Sequence, residues 1–445
     1  MYKYYLSIGS NIGNIVKNLD ITIEFIKKQD NIEIKKVAPY YFTQPLLPKN
    51  ANESYYKIYC NTCIEIETII EPKNLLFILK DIEHKIGRKS NYKIWSPRII
   101  DIDILYCEKN GKCFKVSIDK IECDKNNFLF KNKNVKNNLI IPHREIFNRS
   151  FVLDPLSYLN SNLKINNKSV LCEAKNKKHR QSIIMGIVNL TDNSFSGDGI
   201  LDKNKIEKKI KTFAKKTISI IDIGCEATNK KSKKIDIKEE NKRLQNVFDV
   251  IKDIKKNTYS IKFSIDTYNP ETAENAIKNG FDIINDVNGF KNEKMWKLMQ
   301  KYNNVEAIIM HSLTPHSKSD IVYNENIDII KQLNNWVKDI KLKAKKYNID
   351  ENRIIIDYGI GFGKTSFQSL TILQNIEKID SQNFRVLIGH SNKSFMSLFT
   401  KASVKNRMFE TIGGAISLQQ KGVDIIRVHK AIELQKTMFG YMNTT

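Results

Sequence analysis

The stretch Ser182-Ile183-Ile184-Met185-Gly186-Ile187-Val188-Asn189-Leu190-Thr191 opens as a short apolar run and closes on a polar residue, Asn189. A run this short, bounded by turn residues, fits a strand buried on both faces. The design recurs seven times. Residues 220–224 end near Glu226, 261–265 at Asp266, 281–284 at Asn285, and 305–309 at Met310 and His311. Residues 354–356 end at Asp357, 385–389 lead to Ser391 and Lys393, and 424–426 end at Arg427 and His429. Helical stretches lie between most of these runs: residues 270–279 have Pro270 near the start and Gly280 past the end, and 409–421 stop at Gly422. Eight strands alternating with helices in roughly 260 residues predict a (β/α)8 TIM barrel. In that fold the carboxyl ends of the strands converge on one face, so the polar tips would form a single site. One polar strand end is ordinary; eight carrying mostly Asn, Asp, Lys, Arg and His point to function.

Working outward, 445 residues are ample for a second domain before the barrel. A composition of 41% hydrophobic and 27% charged residues is globular, and no apolar run reaches the length of a membrane span. Strand-like sequence begins at Tyr2, so a cytoplasmic enzyme without a leader is the expectation. The seven Cys show no bridging framework, and Cys60 and Cys63 lack the second pair of a zinc site. The formal charge of +24 comes from Lys spread among Asn and Ile. It forms no aromatic-laced basic motif, so nucleic acid is not expected as a partner. Such a surface still attracts polyphosphates.

Residues 2–8 read as a strand entering the turn Gly9-Ser10-Asn11, followed by a helix over 14–27, strands over 32–42 and 55–67, and a helix over 72–86. A basic loop with Arg88, Lys89, Lys93, Trp95 and Arg98 then runs into Asp101-Ile102-Asp103. Two residues apart on a strand, Asp101 and Asp103 face the same side. Twin carboxylates on a rigid element suit Mg2+, which keeps positions open for phosphate oxygens, and the basic loop can neutralise phosphate charge. A solvated strand face can also carry alternating acids; the adjoining loop favours chemistry. Residues 108–138 form a Lys/Asn-rich insert expected as loop, and 160–181 read as a linker.

Gly9-Ser10-Asn11, Trp95-x-Pro97-Arg98-x-x-Asp101-Ile102-Asp103, Ile141-Pro142-His143 and Asn148-Arg149-Ser150-Phe151 together resemble 6-hydroxymethyl-7,8-dihydropterin pyrophosphokinases. The resemblance implies a ferredoxin-like α/β sandwich over 1–159 that transfers pyrophosphate from ATP to 6-hydroxymethyl-7,8-dihydropterin. Asp101 and Asp103 would hold Mg2+. Thr43, Leu46, Asn61 and Phe151 would line the pterin pocket, and Glu83, Arg88, Trp95, Arg98, His143 and Arg149 would serve ATP and the catalytic loops.

Residues 182–445 resemble dihydropteroate synthases through Met185-Gly186-Ile187-Val188-Asn189, Asp222-Ile223-Gly224, Ser264-Ile265-Asp266-Thr267, Asn285-Asp286, Asp357-x-Gly359 to Lys364, Ser391-x-Lys393 and Arg427-Val428-His429. That family condenses the pterin pyrophosphate ester with 4-aminobenzoate. By resemblance, Asp266, Asn285, Asp357 and Lys393 bind pterin, with Asp266 stabilising the electron-poor carbon. Asn189, Thr228, Arg427 and His429 would bind pyrophosphate, Asn189 through Mg2+. Ser391, with a helix start after it, and Phe362 would receive 4-aminobenzoate. A homodimer through the barrel is implied as well.

Several loops depart from the family: Asp192-Asn193 replaces Pro-Asp, Asn229-Lys230 replaces Arg-Pro, and Asn392, Tyr358 and Lys430 replace Arg, Pro and Asp. Three readings therefore compete with the bifunctional enzyme. One is an active pyrophosphokinase fused to a pterin-binding barrel with weak or lost synthase activity. Another is a methyltransferase-type pterin barrel, disfavoured by Ser391-x-Lys393, and the weakest is a basic nucleic-acid binder. The run Gly359-Ile360-Gly361-Phe362-Gly363-Lys364-Thr365 ends like a P-loop, but Tyr358 stands where that motif requires Gly. His84, His316 and His390 read as ordinary polar residues.

Overall fold

The computed structural model describes residues 1–89, 95–119, 138–178, 180–191, 202–226, 235–314 and 321–444. The chain forms two compact units, 1–179 (with 258–260) and the remainder from 180 to 445.

In the first unit, β1 (Tyr2–Ser10) leads to α1 (Ile15–Lys27), whose first turn is capped by the Asn14 side chain accepting from the Lys17 N–H. Next come β2 (Ile32–Val37), β3 (Tyr41–Thr43) and β4 (Tyr59–Thr68). Helix α2 (Pro72–Lys85), with Pro at its start, precedes β5 (Asp101–Lys109). The strand order is β2-β4-β1-β5, every pairing antiparallel, with β3 also on β4. This βαββαβ order is the expected ferredoxin-like sandwich. Tyr4, Leu6 and Ile8 on one face of β1 pack with Leu19 and Ile23 of α1 and Leu75, Leu79 and Ile82 of α2. The other face of β1 carries Ser7 and Gly9, which pair with Asp103 and Asp101 on β5. Strand alternation therefore frees the twin carboxylates from the helical layer.

Three sequence expectations need correction here. Residues 32–42 are two strands rather than one, because the chain breaks at 38–40 while both pieces still pair with β4. The described amino-terminal part of the 108–138 insert is not all loop. β6 (Lys112–Cys113) turns back on β5, and β7 (Val116–Ile118) pairs with β8 (Leu139–Ile141). The 160–181 segment is not a bare linker. After α3 (Ser150–Leu159), it forms the hairpin β9 (Lys164–Ile165) and β10 (Lys168–Ser169) and the helix α4 (Val170–Lys175), which packs on α3. Leu163, Ile165, Val170, Leu171 and Ala174 are buried there. These few apolar residues suffice to fold a segment that is polar on average.

In the second unit, β11 (Ile183–Asn189), β12 (Ile220–Gly224), β13 (Lys262–Asp266), β14 (Ile283–Asp286), β15 (Glu306–Met310), β16 (Ile354–Asp357), β17 (Arg385–Ile388) and β18 (Ile425–Val428) close a parallel barrel in sequence order. Helices α5 (Lys203–Lys215), α6 (Ile237–Asn257), α7 (Pro270–Lys278), α8 (Glu293–Lys301), α9 (Ile329–Lys346), α10 (Ser366–Gln374), α11 (Met408–Gln420) and α12 (Ala431–Thr444) follow their strands. Ile221, Ile223, Ile284, Ile356 and Ile426 join the outer core beneath the helices. Alternation then points Asp222, Asn285, Asp357 and Arg427, on the even-numbered strands, into the barrel near its carboxyl end. At the opposite end, buried Glu306 accepts from Lys262 and from Arg385 at 2.6 Å, tying β13, β15 and β17 together.

Candidate active sites

A cavity of about 480 Å³ opens on the face of the first sheet carrying the carboxylates. Thr43, Leu46, Asn61 and Phe151 line one part of it; Trp95, Arg98, Asp101, Asp103 and Arg149 line another. Gly9 makes room for this layout, since a Cβ there would stand 2.7 Å from the Asn61 amide oxygen. Asn61 in turn donates to Thr43 Oγ1 at 2.8 Å. Asn11 accepts from the Arg98 backbone N–H at 2.7 Å, which fixes the basic loop where it meets β5.

Asp101 receives Arg88 on one oxygen and Arg98, at 2.6 Å, on the other. Burial alone would raise its pKa, but the two guanidinium charges outweigh burial and hold the carboxyl well below the usual range. Behind it, buried Glu83 accepts from the Ile102 N–H at 2.8 Å and from Lys80 and Arg88 at 2.7 Å each. Glu83 and Arg88 thus stand behind the cavity wall and brace Asp101, and His143, outside the cavity lining, accepts at 3.2 Å from the N–H of Glu145, which does line it. Asp103 makes no ion pair among the described residues, so its carboxylate faces the cavity available for a ligand.

In the barrel, Arg427 donates from Nε to Asp222 at 2.7 Å and from Nη2 to Asp266 at 2.7 Å. Asn285 reaches both Asp222 oxygens at 3.3 Å. Burial pushes Asp266 up to about 7, helped by Asp222 and Asp286 and opposed by Arg427. Asp357 is also raised by burial, against the pull of Lys393, and accepts from the Gly359 N–H at 2.8 Å. Burial brings Lys393 down to about 8; its Nζ donates to the Ile360 carbonyl and lies 4.5 Å from the centre of the Phe362 ring. Phe362 forms an apolar wall with Val287 and Met310, against which Tyr268 packs. Ser391 Oγ and His429 Nδ1 are 2.9 Å apart. The residues after Ser391 form a short 3-10 turn, Ser394–Leu398, so the expected helix start is absent there. Asn189 ends β11 half-buried, and Thr228 lies outside the described residues.

An acidic and amide-lined floor with one lysine, one arginine and an aromatic wall suits a flat heterocycle bearing donors, acceptors and an anionic tail. Residues 185–429 match the family described as pterin binding enzyme, and residues 5–161 match 7,8-dihydro-6-hydroxymethylpterin-pyrophosphokinase. The chain belongs to the bifunctional folate-synthesis family. It is a transferase with a pyrophosphokinase half and a dihydropteroate synthase half. The folic acid synthesis protein fol1 of Pneumocystis carinii is 30% identical over 97% of this chain, which spans 58% of that protein. The folate synthesis bifunctional protein of Chlamydia trachomatis is 29% identical over 96% of this chain, which spans 94% of it. A crystal structure of dihydropteroate synthase from Anaplasma phagocytophilum with bound 6-hydroxymethylpterin-monophosphate is 29% identical, covers 59% of this chain and 98% of its own, and superposes with a TM-score of 0.53.

Within this family frame, the strand tips Asp266, Asn285, Asp357, Lys393 and Arg427 share one barrel mouth. Sequence reading passed over Asp222 as a site residue because it sits inside an apolar run rather than at its end. Its phase with Asn285, Asp357 and Arg427 on alternate strands was the available signal. Tyr59 and Gln44, which line the first cavity, were also passed over; neither carries a motif of its own.

Proposed function

We propose that the first half transfers pyrophosphate from ATP to 6-hydroxymethyl-7,8-dihydropterin and that the second half joins the product to 4-aminobenzoate. In the first step the pterin hydroxyl oxygen attacks the β-phosphorus and sheds its proton, the bond from the β-phosphorus to the oxygen bridging the α-phosphate breaks, and AMP leaves with that oxygen. Asp101 and Asp103, side by side on one strand face with Asp103 in no ion pair among the described residues, fit Mg2+ when phosphate oxygens complete its shell. Bound magnesium would supply charge neutralisation on the transferring group. Arg98 and Arg149 add cationic donors to phosphate, while Thr43, Leu46, Asn61 and Phe151 hold the pterin. Arg88 and Glu83 keep Asp101 in place.

For the second step, Asp266, Asn285, Asp357 and Lys393 take the donor and acceptor edge of the pterin. Arg427, His429 and Asn189 take the pyrophosphate, with Thr228 in the same role by resemblance. The 4-aminobenzoate nitrogen forms a bond to the bridging carbon as the carbon–oxygen bond to pyrophosphate breaks, and the nitrogen sheds a proton. Asp266 faces the positive charge that develops on that carbon. Phe362 and Ser391 flank the 4-aminobenzoate.

The observation that carries this reading is the joint arrangement of Asp222, Asp266, Asn285, Asp357, Lys393 and Arg427 at one barrel mouth. It supports a working synthase over a decayed one. No helix among the described residues is long and apolar enough to cross a membrane. A cytoplasmic homodimer joined through the barrel belongs to the same proposal. The test supplies ATP, Mg2+, the hydroxymethyl pterin and 4-aminobenzoate and follows dihydropteroate. Asp103→Ala stops the overall reaction yet spares condensation of supplied ester, whereas Lys393→Ala also stops dihydropteroate formation but leaves formation of the ester from ATP intact. A wild-type chain that makes the ester but never condenses it would refute the synthase reading.

A further inference from the structure

The glycine-rich run that mimics a P-loop has a different use. Gly359, Gly361 and Gly363 take φ of +65°, +78° and +66°, and they coil the chain after β16 into a turn that few other residues could follow. Lys364 closes the turn and folds back into it, 4% exposed. Its Nζ lies 3.1 Å from the His311 carbonyl, 3.1 Å from the Gly359 carbonyl, 3.0 Å from the Phe362 carbonyl and 2.9 Å from His311 Nδ1. An ammonium has three protons and no acceptor, so His311 Nδ1 serves as acceptor and the ring's proton sits on Nε2, toward Tyr323 Oη at 3.4 Å. Tyr323 stacks on the ring at 5.8 Å and Trp336 meets it edge-on at 5.2 Å, which holds the imidazole in that pose.

The two turn carbonyls gripped by Lys364 flank Ile360 in the chain. Ile360 offers its own carbonyl to Lys393 Nζ, and Phe362 sets its ring beside the same atom. Thr365 locks the far end of the turn by capping α10 in a reciprocal bond pair with Gln368. The turn thus has fixed ends and a caged cation at its centre, with Lys393 resting on its outer side. We infer that Lys364 is a positioning residue for the condensation site, holding the Ile360 carbonyl and the Phe362 ring where they orient Lys393. This rests on the proposed contact between Lys393 and the pterin. Burial lowers His311 to about 2, which agrees with a neutral imidazole beside the lysine.

A lysine that merely holds the core together would affect folding without any special link to Lys393. The two roles separate in a double-mutant cycle. Affinity of the full chain for the pterin pyrophosphate ester is measured by calorimetry for wild type, Lys364→Met, Lys393→Ala and the double variant. Lys364→Met alone should weaken binding about tenfold, and less than about twofold when Lys393 is already Ala. Equal factors in both backgrounds, or no effect in either, would overturn the inference. If Lys393→Ala alone binds as well as wild type, the pterin role of Lys393 fails, and the inference routed through it fails too. Should Lys364→Met lack a cooperative thermal transition for the barrel, His311→Gln, which keeps the lysine but removes the imidazole acceptor, enters the same cycle with the same deciding comparison.

Discussion

Arg427 and Asp222 form a 2.7 Å ion pair inside the barrel mouth, with Asp222 fully shielded from solvent. Replacing Asp222 by Asn removes one of the two carboxylates that hold Arg427 and leaves Asp266 alone to balance it. Asp222→Asn should lower barrel stability by about 3 kcal/mol, or roughly 6–12 °C in the melting midpoint of a domain this size. Condensation should fall by about a hundredfold while pyrophosphate transfer is unchanged. Paired assays of the two steps with a thermal melt check this; an equal loss in both steps would count against it.

Glu83 braces Asp101 without lining the cavity. Glu83→Gln keeps the shape but loses the charge that holds Lys80 and Arg88. Pyrophosphate transfer should drop by about tenfold, since charge-assisted bonds are worth roughly 1.5–3 kcal/mol, and condensation of supplied ester should not change. Steady-state rates for the separate steps decide the matter.

The condensation step should show a narrow optimum in pH. Burial sets Asp266 near 7 and Lys393 near 8, so activity rises as Asp266 ionises and falls as Lys393 loses its proton. Lys393→Arg should remove the alkaline limb, at some cost in rate. Stability follows its own course. Between the unfolded carboxylate value near 4 and about 7, the folded chain keeps a proton on Asp266 that the unfolded chain has lost, so this group makes stability fall as pH rises. Lys393, depressed to about 8, acts the other way: above that pH the unfolded chain binds more protons, and stability rises. A kcat/KM profile for supplied ester that stays flat from about pH 6 to 9 would contradict these assignments.

Two glycines should respond oppositely to Ala. At Gly359 an added Cβ would lie 2.0 Å from the His311 carbonyl oxygen, at a φ of +65°. Gly359→Ala should destabilise the barrel by about 3 kcal/mol or more. Gly413 sits in α11 with open space around it, so Gly413→Ala should stabilise by about 0.5–1 kcal/mol through helix propensity. Chemical denaturation of both variants against wild type measures the two signs.

Strand tips were the legible part of the barrel site, because a polar residue closing an apolar run is visible along the chain. Asp222 was hidden by its neighbours Ile221 and Ile223, and only closure of the barrel sets it opposite Arg427. Glu83 was named by resemblance as serving ATP, but its bracing of Asp101 was not legible, because it lies on α2 and helical spacing says nothing of which strand it will meet. Residues 160–181 misled for a different reason. Average polarity suggested a tether, whereas Leu163, Ile165, Val170 and Leu171 are enough to dock it. Thr228 and Asn229 fall where the structure gives no description.

Closure of the barrel leaves its eight strands no open rim, whereas the first unit's described sheet ends in β2 and the two-residue β6. An unpaired rim is a template for another chain's backbone. Lys35 and Lys36 along β2, and the brevity of β6, work against such stacking. Replacing those lysines with valine would therefore be expected to add a new self-association through the pyrophosphokinase half.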